Sequence, residues 1–99
     1  MKILGYNYTI ELGSDSDRMG AYGRSMSGKQ VIQIANNLNR EMEDSTILHE
    51  ILEALKYHLD IGINEQQVMS LEAGLYQTLT EAGVDLAPLL AELREGQNG

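Results

Sequence analysis

Apolar positions change their period about a third of the way along the chain. From Ile3 to Leu12 they alternate, with Tyr6, Tyr8 and Ile10 on one face and Asn7, Thr9 and Glu11 on the other. That is the pattern of a half-buried strand. Gly13-Ser14-Asp15-Ser16-Asp17 interrupts it as a turn or exposed loop, and Gly20 to Gly28, rich in glycine and serine, reads as irregular. Alternation resumes over Lys29 to Ala35, where Val31, Ile32 and Ile34 are the apolar members of a second strand. The two strands are expected to pair, with a third short strand from Gly20–Ser25 able to join them. A lone hairpin is not stable in water, so this sheet needs helices to lie against.

From Asp44 onward the period is helical. Asp44 or Ser45 can cap a first helix and Gly62 stops it at the position after its C-cap. Asn64 then caps a second helix, with Gln67 three residues on as its capping-box partner, and Gly83 ends it. Asp85 caps a third, where Pro88 is tolerated in the first turn, and Arg94 to Gly99 is a frayed tail. Strands followed by three helices predict a single α+β domain over residues 1–99, a small N-terminal antiparallel sheet of two or three strands packed on three C-terminal helices.

Composition narrows the functional classes. Fifteen acidic residues against seven basic ones give a formal net charge of -8. Nucleic-acid binding draws on a basic stripe that this chain lacks, so no nucleic-acid partner is expected. No stretch approaches the apolar length of a membrane span, and the N-terminus lacks a signal-peptide pattern; a soluble cytoplasmic protein is expected, with no membrane partner. There are no cysteines, so any metal must sit on His, Asp or Glu.

One part of the chain carries candidate chemistry. At about 100° per residue, Ile47, Leu48, Ile51, Leu52, Leu55 and Leu59 form one wide apolar stripe on the first helix. His49, Glu53, Lys56 and Asp60 fall opposite. His49 and Glu53 are one turn apart and reach the same point, with Glu50 projecting to the flank. An imidazole and a carboxylate at this spacing can ligate a divalent cation, and they can equally form a solvated, ion-paired face. On the second helix the apolar stripe is Val68, Leu71, Leu75, Leu79 and Ala82, flanked by Met69 and Tyr76. Glu65 and Glu72 fall within or at the edge of that stripe. Glu65 can serve the helix dipole as a first-turn residue and Glu72 can sit at the rim; alternatively both point at His49 and Glu53. A short connection at Gly62-Ile63 makes the helices antiparallel neighbours, so the two faces can meet.

Thr46-Ile47-Leu48-His49-Glu50-Ile51-Leu52-Glu53-Ala54-Leu55 resembles the active helix of the short gluzincin-type zinc metallopeptidases common in phages and mobile elements, which reads T-h-h-H-E-h-h-H-A. Glu65-Gln66-Gln67-Val68-Met69-Ser70-Leu71 is similar to the segment that supplies their third zinc ligand. Gln30-Val31-Ile32-Gln33-Ile34 is similar to the strand that precedes the active helix and pairs with substrate backbone. The resemblance spans roughly residues 28–80 and implies a zincin-like fold. It makes His49 and Glu65 metal ligands, Glu50 the general base, and Val31, Ile32 and Ile34 the substrate-edge strand. The motif is degenerate: Glu53 stands where the family has its second histidine, giving HExxE, and is either a replacement ligand or a broken one. One histidine with two carboxylates is a harder donor set, better suited to Mn, Fe(II) or Mg than to zinc. His58, nine residues after His49, lies on the apolar side of the helix and is expected as a packed or hydrogen-bonded histidine at the core edge rather than as a ligand. Tyr57 is a candidate oxyanion donor.

Three readings follow. The chain is a peptidase-like domain that has lost hydrolysis and serves as a binding or structural module. Or it is a metal-dependent hydrolase with a His49/Glu53/Glu65 site, with Glu72 as an additional carboxylate, Zn, Mn or another divalent metal as cofactor, and Glu50 as base. Or it is a metal-free interaction domain, with a peptide or protein partner or a second copy of itself, for which its five tyrosines could provide contacts.

Overall fold

The strand expected over Ile3–Leu12 is broken at Leu4-Gly5, where both residues take positive φ, 52° and 84°. This two-residue turn folds β1 (Lys2–Ile3) back on β2 (Tyr6–Asn7), with Ile3 opposite Tyr6. Two successive positive φ values match the right-handed twist of a tight hairpin. The computed structural model describes residues 1–13 and 21–93; the turn expected over Ser14–Asp17, the start of the irregular stretch at Gly20 and the tail Arg94–Gly99 lie outside the described residues.

A three-stranded sheet follows, made of β3 (Thr9–Leu12), β4 (Gly23–Met26) and β5 (Val31–Ile34) in the order β3-β5-β4. The two expected strands do pair, but in parallel, with Thr9 opposite Val31 and Leu12 opposite Ile34. The third strand, β4, pairs antiparallel to β5, with Gly23 opposite Ile34 and Met26 opposite Val31. The sheet is therefore mixed, because the chain leaves β3, returns as β4 on the far side and inserts β5 between them. That insertion explains why Ile32 and Ile34 are fully buried and Gln33 nearly so, as in a central strand covered on both faces.

Two long helices follow. Helix α1 runs over Arg40–Leu59, beginning a turn before the expected cap because Asn39 accepts a hydrogen bond from the Met42 amide at 2.9 Å. It ends at Asp60, which takes the left-handed conformation (φ 51°) two residues before Gly62; a short polar side chain tolerates that region. Helix α2 runs over Glu65–Glu81 with the expected Asn64–Gln67 capping box, and Gly83 closes it at φ 78°. The third helical segment starts as a 3-10 helix, Ala87–Leu90, where Asp85 accepts from the Ala87 amide at 3.0 Å. The fold is α+β, a small N-terminal sheet region followed by three helices.

Ile3, Tyr8, Ile10, Ile32, Ile34, Ile47, Ala54, Leu90 and Leu93 form the core. On α1 the expected stripe is displaced: Ile47 and Leu48 are buried, but Leu59 is exposed and Glu50 lies inside. On α2 only Val68 is fully buried, whereas Leu71 and Leu75 face out. The helix is rotated so that Glu72, Tyr76 and Leu79 join Val68 toward α1 as half-buried residues. His58 stacks on Tyr6 with ring centroids 4.1 Å apart and shares a 2.6 Å hydrogen bond with the Tyr8 hydroxyl, a structural role at the core edge.

Candidate metal centre

The rotation of α2 brings its carboxylates onto the one histidine of α1's polar face. Ser45, His49 and Glu53 follow one another at four-residue spacing on that face, and Glu65 and Glu72 come up from α2 to meet them. His49 Nε2 lies 3.0 Å from Glu65 Oε1 and 3.7 Å from Glu53 Oε1. One donor atom from each of His49, Glu53 and Glu65 lies within 4.8 Å of the other two. Two ligands about 2.1 Å from a common ion in tetrahedral geometry are themselves roughly 3.4 Å apart. Both histidine edges of this triangle are close to that spacing.

The other imidazole nitrogen is already engaged. His49 Nδ1 lies 2.8 Å from Glu72 Oε1, and Ser45 Oγ donates to Glu72 Oε2 at 2.9 Å. Glu72 is thus held at both oxygens and in turn holds the ring, turning Nε2 toward Glu53 and Glu65. A carboxylate bonded to the free N–H is the usual means of fixing the tautomer and orientation of a metal-ligating histidine.

Glu50 is the deepest carboxylate of the group, 5% exposed. It lies against β4, where a Cβ added to Gly23 would come within 2.9 Å of Glu50 Oε2 and 2.6 Å of Thr46 Cγ2. The glycine is what allows α1 this close to the strand. Burial pushes the Glu50 carboxyl up to about 7; the charge of His49 opposes the rise, and those of Glu53, Glu65 and Glu72 add to it. Burial also raises Glu53, reinforced by the facing carboxylate of Glu65 and opposed by Lys56 and His49. For His49 burial disfavours the charged ring, but Glu50, Glu72 and Glu65 together outweigh it and its pKa is raised.

The donor set passes a simple test for a cation. Glu53 Oε1 is buried without a hydrogen-bond partner. His49 Nε2 is 3.7 Å from it, and the carboxylate of Glu65 is close enough to raise the Glu53 pKa, so a proton or a positive charge between the two carboxylates is favoured. Four carboxylates converge on one imidazole, so protons or a cation must balance the excess negative charge. A divalent ion at the Nε2–Glu53–Glu65 triangle would supply that balance.

Two adjoining clefts open onto this group. One, of about 250 Å³, is lined by Ala21, Tyr22, Gly23, Ser45, Thr46, His49, Glu50 and Glu72. The other, of about 300 Å³, is lined by Ala21, Gly23, Ser25, His49, Glu50, Glu53 and Glu65. Both are walled by α1 and by the β4 side of the sheet.

The structure therefore brings His49, Glu50, Glu53, Glu65 and Glu72 together. Tyr57 is 60% exposed and lines a separate depression with Glu53, Lys56, Asp60 and Ile61, its ring set edge-on to His58. The expectation that Val31, Ile32 and Ile34 form a substrate-edge strand is corrected by the topology: β5 is central and paired on both sides. Among the described residues the strand open beside the site is β4, which pairs only with β5. Sequence reasoning missed Ser45, Gly23 and Ser25. Ser45 was detectable as the residue one turn before His49 on the same face. The alternation of small residues in Gly23-Arg24-Ser25 was the available signal for a strand that admits a helix closely. No protein-family model matches the chain, and neither does any curated protein or solved structure.

Proposed function

We propose that this chain is a metallopeptidase-like domain of the kind found in phages and mobile elements, binding a divalent cation through His49, Glu53 and Glu65 and hydrolysing peptides with Glu50 as general base. The observation that carries this reading is the convergence of a buried carboxylate and a nitrogen–oxygen–oxygen donor triangle on a cleft beside an open strand edge. A divalent cation supplies Lewis acidity, which polarises a peptide carbonyl and makes water more acidic.

The remaining work falls to the chain's own groups. Ser45 and Glu72 hold the His49 ring so that Nε2 faces the triangle. Glu50 Oε2 takes a proton from water and returns it to the leaving amine. In the cation-free chain burial raises the Glu50 carboxyl to about 7; a cation held by the neighbouring residues would favour the ionised form that acts as base. The backbone of β4 can align an extended peptide by adding it to the sheet edge. No helix among the described residues is long and apolar enough to cross a membrane. Together with the acidic composition, this supports placing the protein in the cytoplasm, that of the host if a phage encodes it, without a nucleic-acid partner.

A second reading, a non-catalytic interaction or structural domain, draws on Glu53, which stands where the resembled peptidases have a histidine. His49 also has a carboxylate oxygen within hydrogen-bond distance of each ring nitrogen, 2.8 Å for Glu72 and 3.0 Å for Glu65, so the chain itself can satisfy the ring. Glu50→Gln separates the two. Under the proposed function it lowers peptide hydrolysis by about 10²–10⁴-fold, the usual worth of a general base, and leaves divalent-cation affinity by calorimetry within a few-fold of the parent. Cation binding with no hydrolysis of any peptide in a random library would leave the binding module as the better account.

A further inference from the structure

Beside the clefts at His49, and sharing Tyr22, Ser45 and Thr46 with the first of them, lies a third depression of about 300 Å³. Its lining is completed by Glu41, Met42 and Tyr76. Tyr22 is 61% exposed, and Met42 and Tyr76 are half-buried, so the walls offer apolar and aromatic surface to an incoming group. Among the described residues the one formal charge in the lining is Glu41, exposed in the first turn of α1. From Glu41 to His49 is eight residues, or about 12 Å along the helix axis, and Ser45 lies midway. An extended peptide rises about 3.3 Å per residue, so this depression falls roughly one to four residues from the position opposite the donor triangle.

We propose that this depression is a specificity subsite for a lysine or arginine side chain, and hence that the substrates are basic peptides. The inference rests on the proposed peptidase function of the neighbouring site. Three features converge on a long cationic side chain. Apolar and aromatic walls accept its methylene stem, the tyrosine faces attract its charge, and the Glu41 carboxylate pairs with its head group. An acidic side chain is repelled here. The two clefts at the donor triangle are lined by Glu50, Glu53, Glu65 and Glu72, with His49 the only basic side chain among the described lining residues. A bound divalent cation would offset two of these four charges, and Glu41, two turns from His49, is the carboxylate that lines the depression itself. Net charge of -8 steers basic peptides toward the surface in the same sense.

The test is binding of fluorescently labelled Ala/Ser octapeptides, each with a single Lys, norleucine or Glu scanned through the central positions. The parent chain and the Glu50→Gln variant, which holds peptides without turnover, are titrated in Mn²⁺ and in EDTA. Lys peptides at one register bind at least tenfold tighter than norleucine or Glu peptides. Glu41→Gln brings Lys down to the norleucine level without changing norleucine itself, and Glu81→Gln, outside the groove, changes neither. Equal binding of Lys and norleucine, an unchanged Lys preference in Glu41→Gln, or no binding of any peptide below millimolar concentration would each overturn the subsite. A Lys preference that persists in EDTA in a protein that binds no cation keeps the subsite and removes the metallopeptidase reading. Cation binding and hydrolysis without the preference do the reverse.

Discussion

The environment of Glu50 turns a motif residue into a measurable quantity. Its carboxyl is raised from 4.5 to about 7, first by burial. A raised carboxyl binds its proton more tightly in the folded than in the unfolded chain. The stability it contributes is therefore fully present below about pH 4.5 and is lost as pH rises toward 7. In EDTA, wild type should lose stability relative to Glu50→Gln across that window in urea unfolding; a difference that stays flat or runs the other way contradicts the buried placement. Gly23 belongs to the same few ångströms. An alanine Cβ there would sit 2.6 Å from Thr46 Cγ2, so Gly23→Ala should destabilise by about 1–3 kcal/mol, as overpacking does, and weaken hydrolysis by moving β4 off Glu50. At this scale His49, Glu50, Glu53 and Glu65 were legible from spacing and resemblance. That Glu72 could point at His49 was also legible from its place at the edge of the α2 stripe, but its bond to the second ring nitrogen and the support from Ser45 were not, because they depend on how far α2 is rotated.

That rotation is a property of the elements. The periodicity of α2 marks Leu71 and Leu75 as inward, yet both are exposed, and the residues turned toward α1 include Glu72. A helix that packs mainly on one neighbour can trade apolar contact for a polar face that meets the partner's polar face, and periodicity alone does not reveal the trade. Caps were more legible where the side chain decides them locally. The Asn64–Gln67 box and Gly83 stand where expected, while the start of α1 moved to Asn39 because Arg40–Glu43 is helical without any apolar period. Strand order was the least legible feature. Two alternating runs predict a pair but not its direction, and β4 between them in sequence makes a parallel pairing feasible. The β1–β2 turn offers a clean local test, since Leu4 takes φ 52° while half exposed. Leu4→Asn, which tolerates that region, should raise stability by about 0.5–1 kcal/mol in denaturant unfolding, and no gain would mean that the hairpin is not set as described.

At the scale of the whole molecule, a 99-residue domain is marginal, and this one gathers four carboxylates around a single imidazole between its two long helices. Without a counter-ion that arrangement is held by protons and opposes folding near neutral pH. With a divalent ion it becomes a cross-link between α1 and α2. Under the proposed function, cation binding and folding would be coupled, and affinity would rise with pH as protons leave the ligands. The most direct measurement is thermal unfolding near pH 7.5 in EDTA and in Zn²⁺, Mn²⁺, Mg²⁺ or Ca²⁺, for the parent chain, His49→Ala and Glu65→Gln. An ion at about 100 times its Kd adds about 2.7 kcal/mol, a rise in Tm of roughly 10–20 °C for a domain of this size. The account predicts that rise with at least one ion in the parent chain, its loss in His49→Ala and its reduction in Glu65→Gln, whose exposed side chain can change without harm to the core. Identical melting of the parent chain in EDTA and in all four ions would contradict it.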